Sequence, residues 1–154
     1  MKFAAVMETP IGALTLVEED GALAEVRFGK RCDDGEISDT PLLQQAVREL
    51  GEYFSGQRKA FTVPLAPKGT PFQQKCWQAL LQIPYGQTRT YGQQAAMIGN
   101  PKACRAVGMG NNRNPLPIFI PCHRVVGANG ALTGYAGGLN IKEKLLQIER
   151  MNPT

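Results

Sequence analysis

The sequence predicts an α+β fold in two parts: a small antiparallel sheet with a helix over residues 1–69, and a helical part containing a helix–turn–helix over 70–154. Three observations predict it. Short apolar runs separated by tight turns occupy only the beginning of the chain. Helix-start signals, a Thr followed three residues later by Gln, recur after residue 69, at Thr70-Gln73 and Thr90-Gln93. Pro64, Pro67 and Gly69 stand between the two textures as a linker.

Taken in order, residues 3–7, 13–17 and 23–28 read as strands parted by Gly12 and by Asp20-Gly21. The polar stretch 29–39 reads as a loop. Thr40 as N-cap and Pro41 at the first position open a helix whose core face is Leu42, Leu43, Ala46, Val47, Leu50 and Phe54, closed by Ser55-Gly56. Residues 61–65 read as a strand or extended segment. The first capping box starts a helix through Cys76, Trp77, Leu80 and Leu81, ended by Pro84-Tyr85-Gly86. The second starts a short helix to about Ile98. Asn100 in the turn Gly99-Asn100-Pro101 then caps a third, from Pro101 to about Gly110. Two short helices joined by a tight Gly-containing turn are the helix–turn–helix pattern. Val125-Val126 is a strand end, 127–130 a turn and 134–138 a flexible loop. Asn140 with Glu143 caps a last helix, from Ile141 to about Met151, with Leu145, Leu146 and Ile148 inward.

Composition excludes several classes. The chain is 43% hydrophobic, enough for a core, yet no apolar run reaches membrane-spanning length. Glu8 interrupts what would be the apolar stretch of a signal peptide, so the expected location is cytoplasmic. Cysteines at 32, 76, 104 and 122 are not paired as C-x-x-C and only one histidine accompanies them, so no metal site is expected. Cys32, Cys76 and Cys104 read as structural, Cys104 facing the core. The net charge is +4, but residues 70–154 hold nine Lys/Arg against two acids, a net +7, and residues 1–69 are net −3. A basic half suits a polyanion, nucleic acid above all; a solvated basic face is the plainer alternative. Lys102, Arg105 and Arg113 lie on or just after the second helix of the pair, among small residues (Ala103, Ala106, Gly108, Gly110). Small residues allow close approach to a groove but supply no side chains that read base edges, so binding through phosphates and shape is expected. They also suit tight helix–helix packing.

The run Ile120-Pro121-Cys122-His123-Arg124-Val125-Val126 sets a cysteine beside the chain's one histidine. Sulfur nucleophiles react as thiolates, and a free thiol titrates near pH ~8.5, so a neighbour must favour deprotonation. His123 and Arg124 follow the sulfur directly, and Pro121 presents it from a rigid, non-helical turn. A buried packing cysteine would need none of this.

This run, with Asn114-Pro115-Leu116-Pro117-Ile118 before it, Arg105-Ala106-Val107-Gly108, Thr90-Tyr91-Gly92 and Tyr135-Ala136-Gly137-Gly138, resembles the O6-alkylguanine-DNA alkyltransferases (methylated-DNA–protein-cysteine methyltransferases). The resemblance spans essentially the whole chain and is strongest from Thr70 to Arg150. It implies a ribonuclease-H-like first part and DNA repair by irreversible transfer of the alkyl group from O6-alkylguanine, and also O4-alkylthymine, to a cysteine. The partner would be double-stranded DNA carrying alkylated bases. The protein would act once per molecule, as a monomer and without a cofactor. Cys122 would be the acceptor, linked through His123 and a water to Glu149, with Asn114 shaping the turn. Tyr91 would donate to the departing base and crowd its phosphate, and Arg105 would fill the gap left by the flipped nucleotide. Ala106, Lys102, Arg113 and Arg124 would join the DNA contact, and Val125, Tyr135, Ala136 and Gly137 would line the base pocket. Alanine at 136, where many relatives carry serine, is expected to alter tolerance for bulky alkyl groups. Some relatives bind zinc in the first part; the lack of histidine there argues against it. Three other readings fit less well. Alkyltransferase-like lesion sensors replace the acceptor cysteine, and a helix–turn–helix regulator leaves His123, Glu149 and the Tyr135 loop without a purpose. A thiol hydrolase lacks a clear third member beside His123.

Overall fold

The structure is a computed structural model describing residues 1–31 and 35–152; Cys32 lies outside the described residues. The chain forms two compact units, Met1–Lys68 and Gly69–Thr154.

In the first unit β1 (Lys2–Thr9), β2 (Gly12–Glu19) and β3 (Ala22–Phe28) form an antiparallel meander. Asp20 and Gly21 both take positive φ (53° and 82°) at the β2–β3 turn. That is the twist a two-residue hairpin needs, and Asp-Gly supplies it with little steric cost. The expected loop 29–39 contains a fourth strand, β4 (Glu36–Ile37), which pairs parallel to β1 at Phe3 and Ala4 and makes the sheet mixed. Two exposed residues carry no alternation, so only the tertiary pairing defines this strand. Residues 61–65 are extended but form no strand of their own. Leu23 N–H donates to the Pro64 carbonyl (2.9 Å) and Ala66 N–H to that of Leu23 (2.9 Å). Pro64 has no N–H with which to continue a ladder.

Helix α1 (Pro41–Phe54) starts where expected, with Thr40 Oγ1 accepting from Leu43 N–H at 3.1 Å. Its buried face is Leu43, Ala46, Glu49, Leu50 and Tyr53, so Leu42, Val47 and Phe54 lie outside the buried stripe. Glu49 displaces part of the apolar stripe for a reason. Its carboxylate accepts from Thr62 Oγ1 (2.6 Å), Thr62 N–H (2.8 Å), Val63 N–H (3.2 Å) and Gln45 Nε2 (2.9 Å), fastening the extended segment to α1. Burial works against its ionisation, but those donors outweigh it and hold the carboxyl at about 2. Glu49→Ala therefore leaves buried N–H groups orphaned and is expected to cost about 2–3 kcal/mol in a urea titration. The folded value lies below the ordinary 4.5, so the contribution is complete above pH 4.5 and fades as pH falls toward 2. The gap between native and variant should close over that window.

In the second unit α2 (Pro71–Leu81) and α3 (Tyr91–Met97) both begin with complete Thr/Gln capping boxes. Between them β5 (Arg89–Thr90) pairs in parallel with β6 (Val125–Val126). Helix α4 (Cys104–Asn112) starts later than expected: Asn100 uses its backbone carbonyl, not its side chain, to take Ala103 N–H at 3.0 Å, so Pro101 and Lys102 belong to the turn. Helix α5 (Leu139–Met151) starts earlier, after Gly138 rather than a capped Asn140. Gly138 has φ 98°, which glycine adopts freely, and its carbonyl receives Lys142 N–H at 3.2 Å. Trp77, buried on α2, donates to the Gly110 carbonyl of α4 at 3.0 Å. Cys104, expected in the core, is exposed, whereas Cys76 is buried. Among the described residues no helix is long and apolar enough to cross a membrane.

Candidate active site

Cys122, His123 and Arg124 form one turn of 3₁₀ helix, a tighter and more ordered element than the non-helical turn expected there. Pro121 precedes it as N-cap, its carbonyl taking Arg124 N–H at 3.0 Å, and β6 follows directly. Every residue from Leu116 to Val126 is buried, and Cys122 keeps 8% of its surface open. Asn114 organises the approach. Its Oδ1 accepts Leu116 N–H (3.0 Å) while its Nδ2 donates to the Ile120 carbonyl (2.8 Å) and to Cys122 Sγ (3.3 Å). These ties hold Ile118 at φ 77°, a conformation costly for a β-branched residue.

His123 is fully buried and its Nε2 lies 2.6 Å from Glu149 Oε2. The contact is direct, so no water separates histidine from acid. Glu149 comes from the last turn of α5 and takes three further donors: Arg124 Nε (2.8 Å) and Nη2 (3.1 Å), and Gly86 N–H (3.0 Å). Burial alone would raise the Glu149 carboxyl, but His123 and Arg124 together hold it well below the usual carboxylate range. An ionised acceptor fixes the tautomer: Nε2 carries the proton and Nδ1 keeps its lone pair. Nδ1 is buried and makes no hydrogen bond to any described residue. Burial pushes the His123 imidazole down, and the Arg124 and Lys142 charges push it further, against the pull of Glu149. The ring is therefore neutral at pH 7 and able to receive a proton.

The sulfur itself is pushed up by burial, partly offset by the Asn114 hydrogen bond and the Lys142 charge. Arg124 does not serve it. The guanidinium is buried, clamped to Glu149 and to the Ile83 carbonyl (2.8 Å), with the Tyr85 ring 5.6 Å from its centre. This corrects its placement among surface contacts. The cation whose charge lowers the Cys122 thiol is Lys142, which sequence reading missed. It is fully buried on α5 and donates to the carbonyls of Val125 (2.5 Å) and Thr133 (2.7 Å). Burial lowers its basicity, and a Cys122 thiolate would restore it. A signal was present: Lys142, Leu145, Leu146 and Glu149 form one buried stripe on α5, and two charges within an apolar stripe mark a site.

Tyr91 opens α3 with its hydroxyl donating to the Thr133 carbonyl (3.3 Å) and accepting from Thr133 Oγ1 (3.2 Å). A Cβ on Gly108 would touch the Tyr91 ring at 3.6 Å and one on Gly110 would press Cys76 Sγ at 3.0 Å. Those two small residues therefore serve helix packing, while Ala106 is exposed. Arg105, Ala106, Met109 and Arg113 are all exposed and share one face of α4 and its end, opposite buried Val107, Gly110 and Asn111. Lys102 is exposed in the preceding turn. Val125 is buried, Ala136 is exposed on the 134–138 loop, and Gly137 beside it is half-buried. Tyr135 carries a buried hydroxyl, raised well above the ordinary phenol by burial and by the nearby sulfur. Among the described residues no group of His, Cys, Asp and Glu could hold a metal ion.

Two family models match the chain. One, described as 6-O-methylguanine DNA methyltransferase, ribonuclease-like domain, covers residues 2–67. The other, 6-O-methylguanine DNA methyltransferase, DNA binding domain, covers 71–151. The methylated-DNA–protein-cysteine methyltransferase of Methanosarcina acetivorans is 53% identical over 150 residues, covering 94% of this chain and 96% of that protein. The constitutive enzyme of that name from Bacillus subtilis is 50% identical, covering 99% and 98%. Among solved structures, the Mycobacterium tuberculosis protein OGT in complex with DNA superposes with a TM-score of 0.90 at 44% identity, covering 97% of this chain and 94% of that one.

Proposed function

The chain belongs to the 6-O-methylguanine DNA methyltransferase family, and on that premise we propose that it repairs DNA by moving the alkyl group of O6-alkylguanine onto Cys122. The observation that carries the assignment of roles is the His123–Glu149 hydrogen bond of 2.6 Å, which leaves Nδ1 as the basic nitrogen next to a cysteine. The thiol proton passes to His123 Nδ1, directly or through one water, and Glu149 stabilises the imidazolium. Sulfur attacks the saturated carbon, the carbon–oxygen bond breaks, and its electron pair stays with the guanine, which takes up a proton as it leaves. Lys142 favours the thiolate from a site without solvent, where one charge counts for more.

The target carbon is unreachable inside a duplex, so the nucleotide must be extruded. The exposed face of α4 supports this reading, with Arg105 entering the stack and Ala106, Arg113 and Lys102 against the backbone. Tyr91 can donate to the departing base by exchanging its long bond to Thr133 for the purine. Val125, Tyr135, Ala136 and Gly137 would line the pocket, with Ala136 bearing on alkyl size.

A thioether does not hydrolyse, so each molecule acts once and needs no cofactor. O4-alkylthymine presents the same alkyl–oxygen bond and would be a second substrate. Nucleophile, base and acid come from one chain, which supports a monomer. Cys76, Cys104 and Cys122 are free thiols, which suits a reducing cytoplasm.

The decisive experiment is incubation with a duplex carrying one O6-methylguanine, followed by peptide mass spectrometry. One methyl on the Cys122 peptide is the expected result. Lesion DNA left intact by excess protein would reject the proposal. The single-turnover rate should also fall as pH drops below the ordinary histidine value of 6.5, because His123 titrates lower than that and must stay neutral. A rate that rises in acid would exclude His123 as the base.

A further inference from the structure

Gln94 on α3 and Asn111 on α4 are both buried and exchange two amide hydrogen bonds: Gln94 Nε2 to Asn111 Oδ1 at 2.9 Å, and Asn111 Nδ2 to Gln94 Oε1 at 2.8 Å. Gln94 Nε2 also reaches the Cys76 carbonyl of α2 at 3.2 Å. An apolar pair would fill this space with less demand on geometry, because a half-satisfied buried amide is worse than none. A reciprocal pair instead allows one relative setting of the two helices.

The setting matters because Asn111 leads straight to the reactive turn. Its carbonyl takes Asn114 N–H at 3.2 Å, and Asn114 is the donor to Cys122 Sγ. The outward face of the same helix carries Arg105, Ala106 and Met109. We propose that the Gln94–Asn111 pair is a positioning device which fixes the end of α4, so that a helix seated on DNA also aims the Asn114 amide at the sulfur. Neither residue touches the reacting atoms; both act through Asn114. The inference rests on reading Cys122 as the alkyl acceptor and α4 as the DNA-facing helix.

The test replaces both amides together, Gln94→Met with Asn111→Leu, which removes the pair without orphaning either partner. Thermal unfolding establishes that this variant folds. Carboxamidomethylation of the Cys122 peptide by iodoacetamide is then followed against pH, and methyl transfer from a saturating O6-methylguanine duplex is timed separately. With the donor misaimed, the alkylation profile moves to higher pH, slowing reaction at pH 7.5 by about 3-fold, the equivalent of half a pH unit. Transfer slows by about 10-fold. Asn114→Ala slows native protein but adds little to the double variant, since the two changes lie on one route. A folded variant with the native pH profile, or one to which Asn114→Ala adds its full effect, overturns the proposal and leaves the pair a packing feature. The iodoacetamide profile needs no DNA chemistry. If native protein transfers no methyl group, the repair reading fails while the coupling is still measured.

Discussion

Cys122→Ala will abolish methyl transfer from O6-methylguanine DNA and leave the fold intact. On the proposed reading Cys122 is the acceptor, next in sequence to a neutral, buried imidazole whose Nδ1 makes no hydrogen bond to any described residue. Alanine takes from Asn114 Nδ2 only its weak sulfur acceptor, since the amide keeps the Ile120 carbonyl at 2.8 Å. The stability change should stay within about 1 kcal/mol. Peptide mass spectrometry reads the transfer and a urea titration reads the fold. Cys104 supplies the internal control: it is exposed and easier to reach, but the pairing of histidine and acid belongs to Cys122. Methylation of Cys104 at the native rate in the variant would mean that the acceptor has been misassigned.

Glu149→Gln will harm both stability and chemistry. The carboxylate compensates a buried guanidinium and holds the imidazole, so a neutral amide leaves Arg124 without its counter-charge. Breaking a buried pair in this way costs about 3–5 kcal/mol. The same change leaves one neutral oxygen for His123 and Arg124 to share, so the His123 tautomer is no longer fixed, and transfer should fall by about 100-fold or more. The pH dependence checks the cause. The Glu149 carboxyl sits below its ordinary 4.5 in the fold, so its contribution is present above pH 4.5 and lost as pH falls below it. His123, also depressed from 6.5, favours unfolding as pH falls through that value, because the unfolded ring binds the proton more readily. Glu149 supports the His123 proton only in the native protein, so the gap between native protein and variant holds from neutrality down to pH 4.5 and closes as pH falls below that. Urea titrations at neutral and acid pH decide this; equal stabilities at neutral pH would show that Arg124 finds its compensation elsewhere.

Local chemistry made much of this readable from the residues alone. The Thr/Gln boxes, the Asp-Gly hairpin and the Thr40-Pro41 helix start each involve neighbours in sequence, and each stands in the structure. The features that escaped depend on partners far along the chain. Strand β4 exists only because β1 lies beside it. Helices α4 and α5 begin on backbone geometry, where a capping side chain had been expected. Arg124 reads as a surface cation beside a reactive cysteine until α5 brings Glu149 to it. Lys142 looks like one more basic residue on a helix until its burial against Val125 is seen. Resemblance singled out Cys122, His123 and Glu149 as candidates, yet the direct bond between the latter two, and the burial of Lys142 on the same helix, needed three dimensions.

Glu149 lies 27 positions after Cys122, on a helix that also brings Lys142. A polypeptide interrupted before residue 139 would lack both Glu149 against His123 and Lys142 against the Val125 carbonyl. On the proposed reading of Cys122, a change that loosens α5 would disarm the sulfur without touching the turn that carries it.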